Sequence, residues 1–263
     1  MHDITGIEGE LRPYRLTAGN RFCIVGVILY KWRCAMTAVR QIVDSSTTAQ
    51  EPRNIDPSRP MIALTFDDGP AKNHTPRIID VFEAYGGRAT FFVVGNRVSR
   101  YSALITRMHA SGFEVVGHSW DHADLTQLSD SQIRMQILDT HNAIAEIVGE
   151  LPPIFRAPYG AINQTVSKAA IDAGFSFIGW NVDPGDWDVK NADVVPSRVL
   201  NDARDGAIVV LHDFHEPTAR AAEQIVPELV ARGYQLVTVS ELFRYRKVIL
   251  EPGIVYNGAP PQV

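Results

Sequence analysis

The chain has 263 residues, of which 45% are hydrophobic and 21% are charged, and these proportions are typical of a globular protein with one large domain or two small ones. Its formal net charge of −5 argues against the basic surface that nucleic-acid binding needs, so we expect no nucleic-acid partner. The two cysteines, Cys23 and Cys34, both precede the main body of the chain. A disulfide framework or a cysteine-based zinc site is therefore excluded there.

The first predicted element is the apolar stretch FCIVGVILY at residues 22–30, within an N-terminal segment of residues 1–43. A membrane-spanning helix needs about 20 apolar residues, so this stretch is too short to cross a bilayer alone. It is consistent with a signal or anchor segment, although acidic residues precede it, and equally with a short amphipathic helix. We expect a cell-envelope or secreted protein, and the sequence leaves its membrane association open.

A polar, proline-containing linker is predicted at residues 44–60, and a regular alternation of apolar runs and helical stretches begins beyond it. The clearest helix covers residues 131–149, with a capping box formed by Ser129 and Gln132. The apolar runs are rich in Val, Ile and Phe and are predicted to be strands. They lie at residues 61–66, 89–95, 113–117, 154–156, 175–182, 207–212 and 234–239.

This alternation predicts parallel βα units whose strands are buried on both faces. We predict an α/β fold, a distorted, TIM-barrel-like (β/α) barrel of about seven parallel strands over residues 61–247. Residues 248–263 are predicted to be a C-terminal tail that trails over the barrel. No GxGxxG motif opens a helix, so a barrel is favoured over a dinucleotide-binding sheet.

Polar groups follow five of the predicted strands. In βα barrels the active site is formed by the loops at the carboxyl ends of the strands, so these groups are expected to meet at one rim. They are the pair Asp67 and Asp68, HSWDH at 118–122, RAPYG at 156–160, DPGDW at 183–187 and LHD at 211–213.

The histidine and aspartate pairs together indicate a metal site. His118 and His122 are four residues apart, close to one helical turn, so both imidazoles are expected to face the same point. Two histidines and one aspartate form the three-ligand site with an open position that is typical of catalytic zinc. One of Asp67 and Asp68 would bind the metal and the other would accept a proton from water. Taken separately, the pairs also fit two surface histidines and a solvated acidic turn.

A different chemistry is suggested by the stretch GHSWD at residues 117–121. It approaches the G-x-S-x-G motif of serine hydrolases, with Ser119 in the position of the nucleophile. Its last position is Asp121 instead of glycine, and the sequence has no HGGG-type oxyanion loop. The metal site is therefore the favoured interpretation.

The five motifs together resemble the signatures of the NodB-like polysaccharide deacetylases, carbohydrate esterase family 4. Those signatures are TFDDG, H(S/T)xxH, RxPY, DxxDW and LHD. They match Thr65–Gly69, His118–His122, Arg156–Tyr159, Asp183–Trp187 and Leu211–Asp213, in the same order, and the resemblance covers roughly residues 60–245. It implies a distorted (β/α) barrel and a polysaccharide substrate, and it implies no organic cofactor.

The resemblance implies one set of roles around the metal. Asp68, His118 and His122 would bind Zn²⁺, with other divalent metals such as Co²⁺ also accepted. Asp67 would be the general base. Arg156 would pair with Asp67 and orient it.

A second set of roles concerns the leaving group and the acetyl group. By the resemblance, His212 would be the general acid, and Asp186 would raise its pKa so that it stays protonated. The backbone N–H of Tyr159 would stabilise the oxyanion. Trp187 and Leu211 would line the apolar pocket for the acetyl methyl group.

The implied reaction is hydrolysis of N-acetyl groups on an N-acetylglucosamine-containing polysaccharide, with release of acetate. Peptidoglycan is favoured, and chitin-type oligomers are also compatible. The alternatives are an O-acetyl esterase acting on acetylated xylan with the same metal site, and an inactive carbohydrate-binding homologue. The second alternative is disfavoured because Asp67, Asp68, His118, His122 and His212 are all present.

Overall fold

A computed structural model describes residues 53–188 and 193–262, so the predicted N-terminal segment, residues 1–43, lies outside the described residues. Within these ranges the strands are β1 (Met61–Asp67), β2 (Thr90–Val93), β3 (Glu114–Gly117), β4 (Ile154–Phe155), β5 (Ser176–Ile178), β6 (Ala207–His212), β7 (Gln235–Leu236) and β8 (Val255–Tyr256). The α-helices are α1 (Thr75–Ala84), α2 (Gly95–Val98), α3 (Ser102–Ala110), α4 (Asp130–Val148), α5 (Gln164–Ala173), α6 (Val194–Asp202), α7 (Glu216–Ala231) and α8 (Val239–Tyr245).

All the strands belong to one parallel sheet in the order β6-β1-β2-β3-β4-β5-β8, and β7 pairs with the first two residues of β1. The sheet curls into a distorted barrel, which confirms the predicted α/β fold. Each of the seven predicted apolar runs overlaps one strand, and β1 extends one residue beyond its run, to Asp67. The run at 175–182 is longer than β5, because only its first part stays in the sheet.

The sheet closes between β5 and β6 by single contacts in place of a continuous ladder. Val182, in the loop after β5, forms an isolated parallel bridge with Val209 of β6. Gly258 forms an isolated antiparallel bridge with Ala207 at the start of β6. The barrel is therefore tightly paired around β1 and loosely joined at this seam.

The C-terminal residues differ from the prediction. Residues 248–263 were expected to trail over the barrel, but Val255 and Tyr256 form β8 and pair in parallel with β5. Two β-prone residues between glycines and prolines are too few to stand out as a strand in the sequence. The partner strand, and not local propensity, makes this segment extended.

Neighbouring residues of β1 pack on opposite faces of the sheet, as strand geometry requires. Ile62, Leu64 and Phe66 lie in the cluster that joins the sheet to the surrounding helices. Met61 and Ala63 lie in the cluster that fills the barrel interior. Because Asp67 continues the interior set, its side chain is directed into the barrel and not towards the helices.

Two helices begin with capping boxes. Ser129 and Gln132 form both hydrogen bonds of the capping box at the start of α4, which confirms that prediction. Thr238 and Glu241 form a second capping box at the start of α8. None of the described helices is long and apolar enough to cross a membrane.

The described part of the predicted linker packs on the barrel. Ile55 is 8% exposed, and Arg53 donates hydrogen bonds to the carbonyl oxygens of Gly86 and Leu236, at 2.7 and 2.8 Å. Residues 53–60 therefore belong to the folded body, where they cover the amino end of the sheet.

Candidate active site

The carboxyl ends of the strands surround a cavity of about 440 Å³. Its walls come from five of the loops that the sequence singled out. The lining residues are Asp67, Asp68, His118, His122, Ala157, Tyr159, Trp180, Asp183, Trp187, Val210 and His212.

The two neighbouring aspartates reach the same cavity because the backbone turns sharply between them. Asp67 is the last residue of β1 and is 3% exposed. Simple alternation would send the next side chain to the opposite face, but the φ of Asp68 is 70°, in the left-handed region, and this redirects it. A Cβ on Gly69 would lie 2.1 Å from Asp213 Oδ1, so the turn requires glycine at that position.

The two histidines also converge, but not through helical spacing. His118 follows β3, and residues 118–122 form a loop in which Ser119 and His122 have φ values of 64° and 63°. The Ser119 hydroxyl accepts a hydrogen bond from the His122 backbone N–H at 2.9 Å, which closes the loop. The imidazoles face one point as expected from their spacing, but a closed loop and not a helical turn brings them together.

Asp68, His118 and His122 form a cluster whose ligand atoms lie within 4.8 Å of one another. Asp68 Oδ1 is 3.0 Å from His122 Nε2 and 3.3 Å from His118 Nε2. His118 Nδ1 donates to the Arg156 carbonyl oxygen at 2.9 Å, because a carbonyl can only accept. A neutral His118 therefore presents a lone pair at Nε2 towards the carboxylate.

This donor set fits a divalent metal ion. Asp68 Oδ1 is buried and has no hydrogen-bond partner among the described residues, although two imidazole nitrogens approach it. Lone pairs that converge on one point are stabilised by a cation, and metal-binding histidines usually donate their other ring N–H to a carbonyl or carboxylate, which fixes the tautomer. Burial alone would raise the pKa of Asp68, but hydrogen bonds and charge from His118 and His122, when their Nε2 atoms carry protons, outweigh it and hold this pKa well below its usual range.

Asp67 is held by a buried arginine. Arg156 is 1% exposed, and its Nη1 donates to Asp67 Oδ1 at 2.6 Å and to Thr65 Oγ1 at 2.7 Å. Its Nε and Nη2 donate to the carbonyl oxygens of Ile178 and Gly179, at 3.0 and 2.9 Å. Burial lowers the pKa of Arg156, and the Asp67 carboxylate opposes that shift. The guanidinium thus fixes Asp67 in one orientation beside the metal cluster.

His212 is held in the same way by a buried carboxylate. Its Nδ1 donates to Asp186 Oδ1 at 2.8 Å, and its backbone N–H donates to Asp186 Oδ2 at 2.8 Å. The Thr218 hydroxyl donates to the same Oδ2 at 2.6 Å. Burial alone would lower the pKa of His212, but the hydrogen bond and charge of Asp186, with the charges of Asp67 and Asp68, raise it to about 9. The imidazole is therefore cationic at neutral pH.

Tyr159 and Trp187 lie at the rim of the cavity. Tyr159 has a φ of 60°, its side chain is 69% exposed, and its ring packs edge-on to the His122 ring with centroids 4.8 Å apart. Trp187 is 61% exposed and lines the cavity. The roles assigned to the Tyr159 backbone and the Trp187 ring stay predictions.

Leu211 does not line the cavity, contrary to the prediction. Its side chain is fully buried in the cluster between the sheet and the helices, together with Val209. The preceding residue, Val210, lines the cavity. Since neighbouring side chains on a strand point to opposite faces, the apolar wall on this side of the cavity comes from Val210.

Comparison with known proteins agrees with this geometry. The sequence model of the family described as polysaccharide deacetylase matches residues 54–178. A peptidoglycan-N-acetylglucosamine deacetylase of Bacillus cereus is 38% identical over 191 residues, which are 71% of this chain and 89% of that protein. The chain belongs to the polysaccharide deacetylase family. A solved family 4 acetyl xylan esterase of Clostridium thermocellum, in complex with a cobalt ion, is similar with a TM-score of 0.71 and 37% identity, covering 76% of this chain and 99% of that one.

A longer relative shares the same region. The peptidoglycan-N-acetylmuramic acid deacetylase PdaC of Bacillus subtilis is 43% identical over 194 residues, which are 73% of this chain. The chain spans only 41% of the length of that relative. The match is thus between deacetylase-family domains, whereas PdaC has further regions.

The serine-hydrolase interpretation does not fit this member of the polysaccharide deacetylase family. Ser119 is fully buried, and its hydroxyl accepts the hydrogen bond from His122 that closes the histidine loop. A nucleophile has to reach the substrate, which this hydroxyl cannot do. Ser119 is a structural part of the metal-site loop.

Sequence reasoning missed three residues of this polysaccharide deacetylase site. Thr65 was inside a quoted motif, and its position two residues before Asp67, on the same strand face, could have identified it. Val210 could have been found by the same alternation. Thr218 lies on α7, six residues beyond His212 and outside every motif, so only the tertiary structure places its hydroxyl on Asp186.

Proposed function

We propose that this chain is a metal-dependent hydrolase that removes N-acetyl groups from an N-acetylglucosamine-containing polysaccharide and releases acetate. One observation carries the proposal. A carboxylate paired with buried Arg156 and an imidazole paired with buried Asp186 face one cavity together with the Asp68, His118 and His122 cluster. Hydrolysis of an amide needs this combination of a base, an acid and an electrophile.

Asp67 acts as the base in this mechanism. It accepts a proton from the attacking water, whose oxygen bonds to the acetyl carbon and forms a tetrahedral intermediate. A bound divalent metal would lower the pKa of water and polarise the acetyl carbonyl. Arg156 keeps Asp67 oriented towards the cavity, and the backbone N–H of Tyr159 donates to the oxyanion.

His212 acts as the acid. When the intermediate collapses, the carbon–nitrogen bond breaks and His212 donates its proton to the leaving nitrogen, because an amide anion is a very poor leaving group. The products are acetate and a free amine on the sugar. The raised pKa of His212, about 9, supports this role because it keeps the proton on the ring at neutral pH.

Zinc is the proposed metal. Two imidazole nitrogens and one carboxylate oxygen with an open position form a donor set that suits catalytic zinc. Cobalt(II) accepts the same ligands, so the site is expected to function with either ion.

An amide substrate is favoured over an ester. An alkoxide leaves more easily than an amide anion, so an ester demands less from an acid than the Asp186–His212 pair is built to supply. The relative from Clostridium thermocellum is named an acetyl xylan esterase, and O-deacetylation of xylan is the second candidate for this site.

Peptidoglycan is the proposed polymer, and chitin-type oligomers are the alternative. The relatives from Bacillus cereus and Bacillus subtilis are both named peptidoglycan deacetylases. Peptidoglycan lies outside the cytoplasmic membrane, so we propose that the chain acts in the cell envelope or as a secreted protein.

The test is acetate release from a short N-acetylglucosamine oligomer and from acetylated xylan. Protein stripped of metal by a chelator is compared with the same protein after zinc or cobalt is restored. We expect release from the N-acetyl oligomer that disappears on stripping and returns with either metal. Faster release from xylan would favour the esterase, and release that ignores the chelator would contradict the metal mechanism.

A further inference from the structure

A second cavity adjoins the proposed reaction centre on the side of the histidine loop. It has a volume of about 220 Å³, and we call it the flanking cavity. It shares Asp68 and His122 with the central cavity, so a ligand that reaches the metal cluster can extend into it. Its remaining polar and aromatic walls are Asn96, Arg97, Asp121 and Phe214.

Arg97 is the unusual residue of the flanking cavity. It lies at the third position of the short helix α2 and is half-buried. Its guanidinium has no hydrogen bond or ion pair with any residue in the ranges 53–188 and 193–262. Nearby Arg100, by contrast, lies over the Tyr101 ring at 5.4 Å. A guanidinium offers five donors in a planar fork, so a half-buried one without a partner is available to a ligand.

Two carboxylates, Asp68 and Asp121, line the flanking cavity with Arg97, and each contacts other groups. Asp121 Oδ1 accepts hydrogen bonds from Gln136 Nε2 at 2.9 Å and from the Ala123 backbone N–H at 3.2 Å. Asp68 belongs to the metal cluster. Neither forms an ion pair with Arg97, so the positive charge at this end of the cavity is left for an external anion.

The other walls restrict the kind of anion. Asn96 is exposed and adds a neutral amide beside Arg97, whereas Phe214 and Val94 provide apolar surface. A carboxylate on a short, partly apolar substituent matches this combination better than the free hydroxyls of a neutral sugar. An arginine fork pairs with a carboxylate by two parallel hydrogen bonds.

We propose that the flanking cavity binds a carboxylate-bearing substituent of the sugar next to the one that is deacetylated, with Arg97 as the recognition residue. This inference rests on the proposed function and refines its substrate class. The lactyl ether of N-acetylmuramic acid carries a methyl group and a carboxyl group and is one source of this chemistry. A carboxylate of an attached stem peptide is the other.

The experiment compares deacetylation kinetics on four oligomers of equal length. They are an N-acetylglucosamine oligomer, an alternating N-acetylglucosamine–N-acetylmuramic acid oligomer, the same oligomer with its carboxyl groups reduced to alcohols, and a peptide-bearing form. Arg97→Gln tests the recognition residue. Arg100→Gln is the matched control, because it removes a neighbouring arginine that does not line the cavity.

We expect Arg97→Gln to lower kcat/KM on the carboxylate-bearing oligomer about tenfold, mainly through KM, because a charge-assisted contact is lost. The neutral and reduced oligomers should change by less than about twofold, and Arg97→Lys should retain part of the preference. An effect confined to the free lactyl form would identify that carboxylate, and one confined to the peptide-bearing form would identify the stem peptide.

Two outcomes separate this inference from the proposed function. Acetate release from the neutral oligomer, with equal losses on all four substrates in Arg97→Gln, would overturn the recognition role and leave the deacetylase standing. Release from none of the oligomers by wild-type protein with restored zinc would overturn the proposed function itself.

Discussion

Asp67 and His212 are register partners at the ends of the neighbouring parallel strands β1 and β6. Each is anchored from behind by a buried group of opposite charge: Arg156 Nη1 lies 2.6 Å from Asp67 Oδ1, and Asp186 Oδ1 lies 2.8 Å from His212 Nδ1. This arrangement supports the proposed roles of Asp67 as the base and His212 as the acid. The pairing of two strands fixes the spacing between them.

Replacing Asp67 by Asn should remove the base and leave the metal ligands in place. We expect kcat to fall by about 10²- to 10⁴-fold, the usual contribution of a general base, with zinc content unchanged. Acetate release and metal analysis on the same sample measure both. Asp139→Asn, an exposed change on α4, is the control, and near-normal turnover in Asp67→Asn would contradict the assignment of the base.

Replacing Asp186 by Asn should move the alkaline limit of activity to lower pH. His212 must be protonated to donate, so wild-type activity should decline as the pH rises through the His212 pKa of about 9. Without the Asp186 charge this pKa falls towards the ordinary histidine value of 6.5, and the decline should begin correspondingly earlier. A kcat–pH profile measures the shift. Asp188→Asn is the control, because Asp188 lies with Asp186 on the short 3-10 helix Asp186–Asp188. An unchanged alkaline limb would mean that His212 is not the acid.

Replacing His122 by Ala should abolish metal binding. One of three protein ligands is lost, so we expect metal affinity to fall by more than about 100-fold. This is a larger loss than is usual when a residue that only hydrogen-bonds to a ligand is changed. Competition with a chromogenic chelator gives the affinity. His141→Gln is the control, since His141 lies on α4 and packs on Phe175, just before β5 and away from the cavity. Normal zinc content in His122→Ala would remove this histidine from the ligand set.

Arg156 tests whether orientation of the base matters beyond its charge. Lysine keeps the positive charge but cannot reach Asp67, Thr65 and two carbonyl oxygens at once, so we expect Arg156→Lys to fold and to lose about 100-fold in kcat. Arg156→Ala leaves Asp67 buried without a partner and should cost about 3–5 kcal/mol of unfolding free energy. Kinetics and urea unfolding measure the two effects. Arg77→Lys, at an exposed ion pair, should change neither.

Val210 and Leu211 provide opposite expectations from adjacent positions. Val210→Phe should place a larger side chain in the cavity and lower kcat/KM. Leu211→Ala should leave the kinetic constants unchanged and lower the unfolding free energy by about 2–5 kcal/mol, because Leu211 is buried between the sheet and the helices. Parallel kinetic and unfolding measurements on both variants distinguish the sites. The reverse pattern would return Leu211 to the acetyl pocket.

The sequence predicted the features that depend on the order of residues along one strand and in the loop that follows it. Continuous apolar runs predicted the parallel barrel, and the ionisable residues after those runs predicted which loops meet. The cluster of Asp68, His118 and His122 could be named because these loops share one rim.

The remaining features depend on backbone turns and on distant partners. Ser119 and His122 have left-handed backbone conformations and lie in a loop, not in a helical turn. Residues other than glycine rarely adopt this conformation, so it was not predicted from the sequence. The face to which Leu211 points follows from strand alternation but needs the true strand register. Strand β8 exists because β5 offers it an edge, which is a tertiary cause without a local signal.

The pairing of β8 with β5 also determines which backbone groups of β5 are open to pairing with other molecules. The backbone N–H groups of Phe177 and Gly179 donate to the carbonyl oxygens of Ile254 and Tyr256, at 2.8 and 2.9 Å. Without that segment, an apolar strand would present unpaired donors and acceptors to other molecules, which is the usual route to edge-to-edge aggregation. The short strand β8 therefore covers an edge of β5 that would otherwise be free to pair with another molecule.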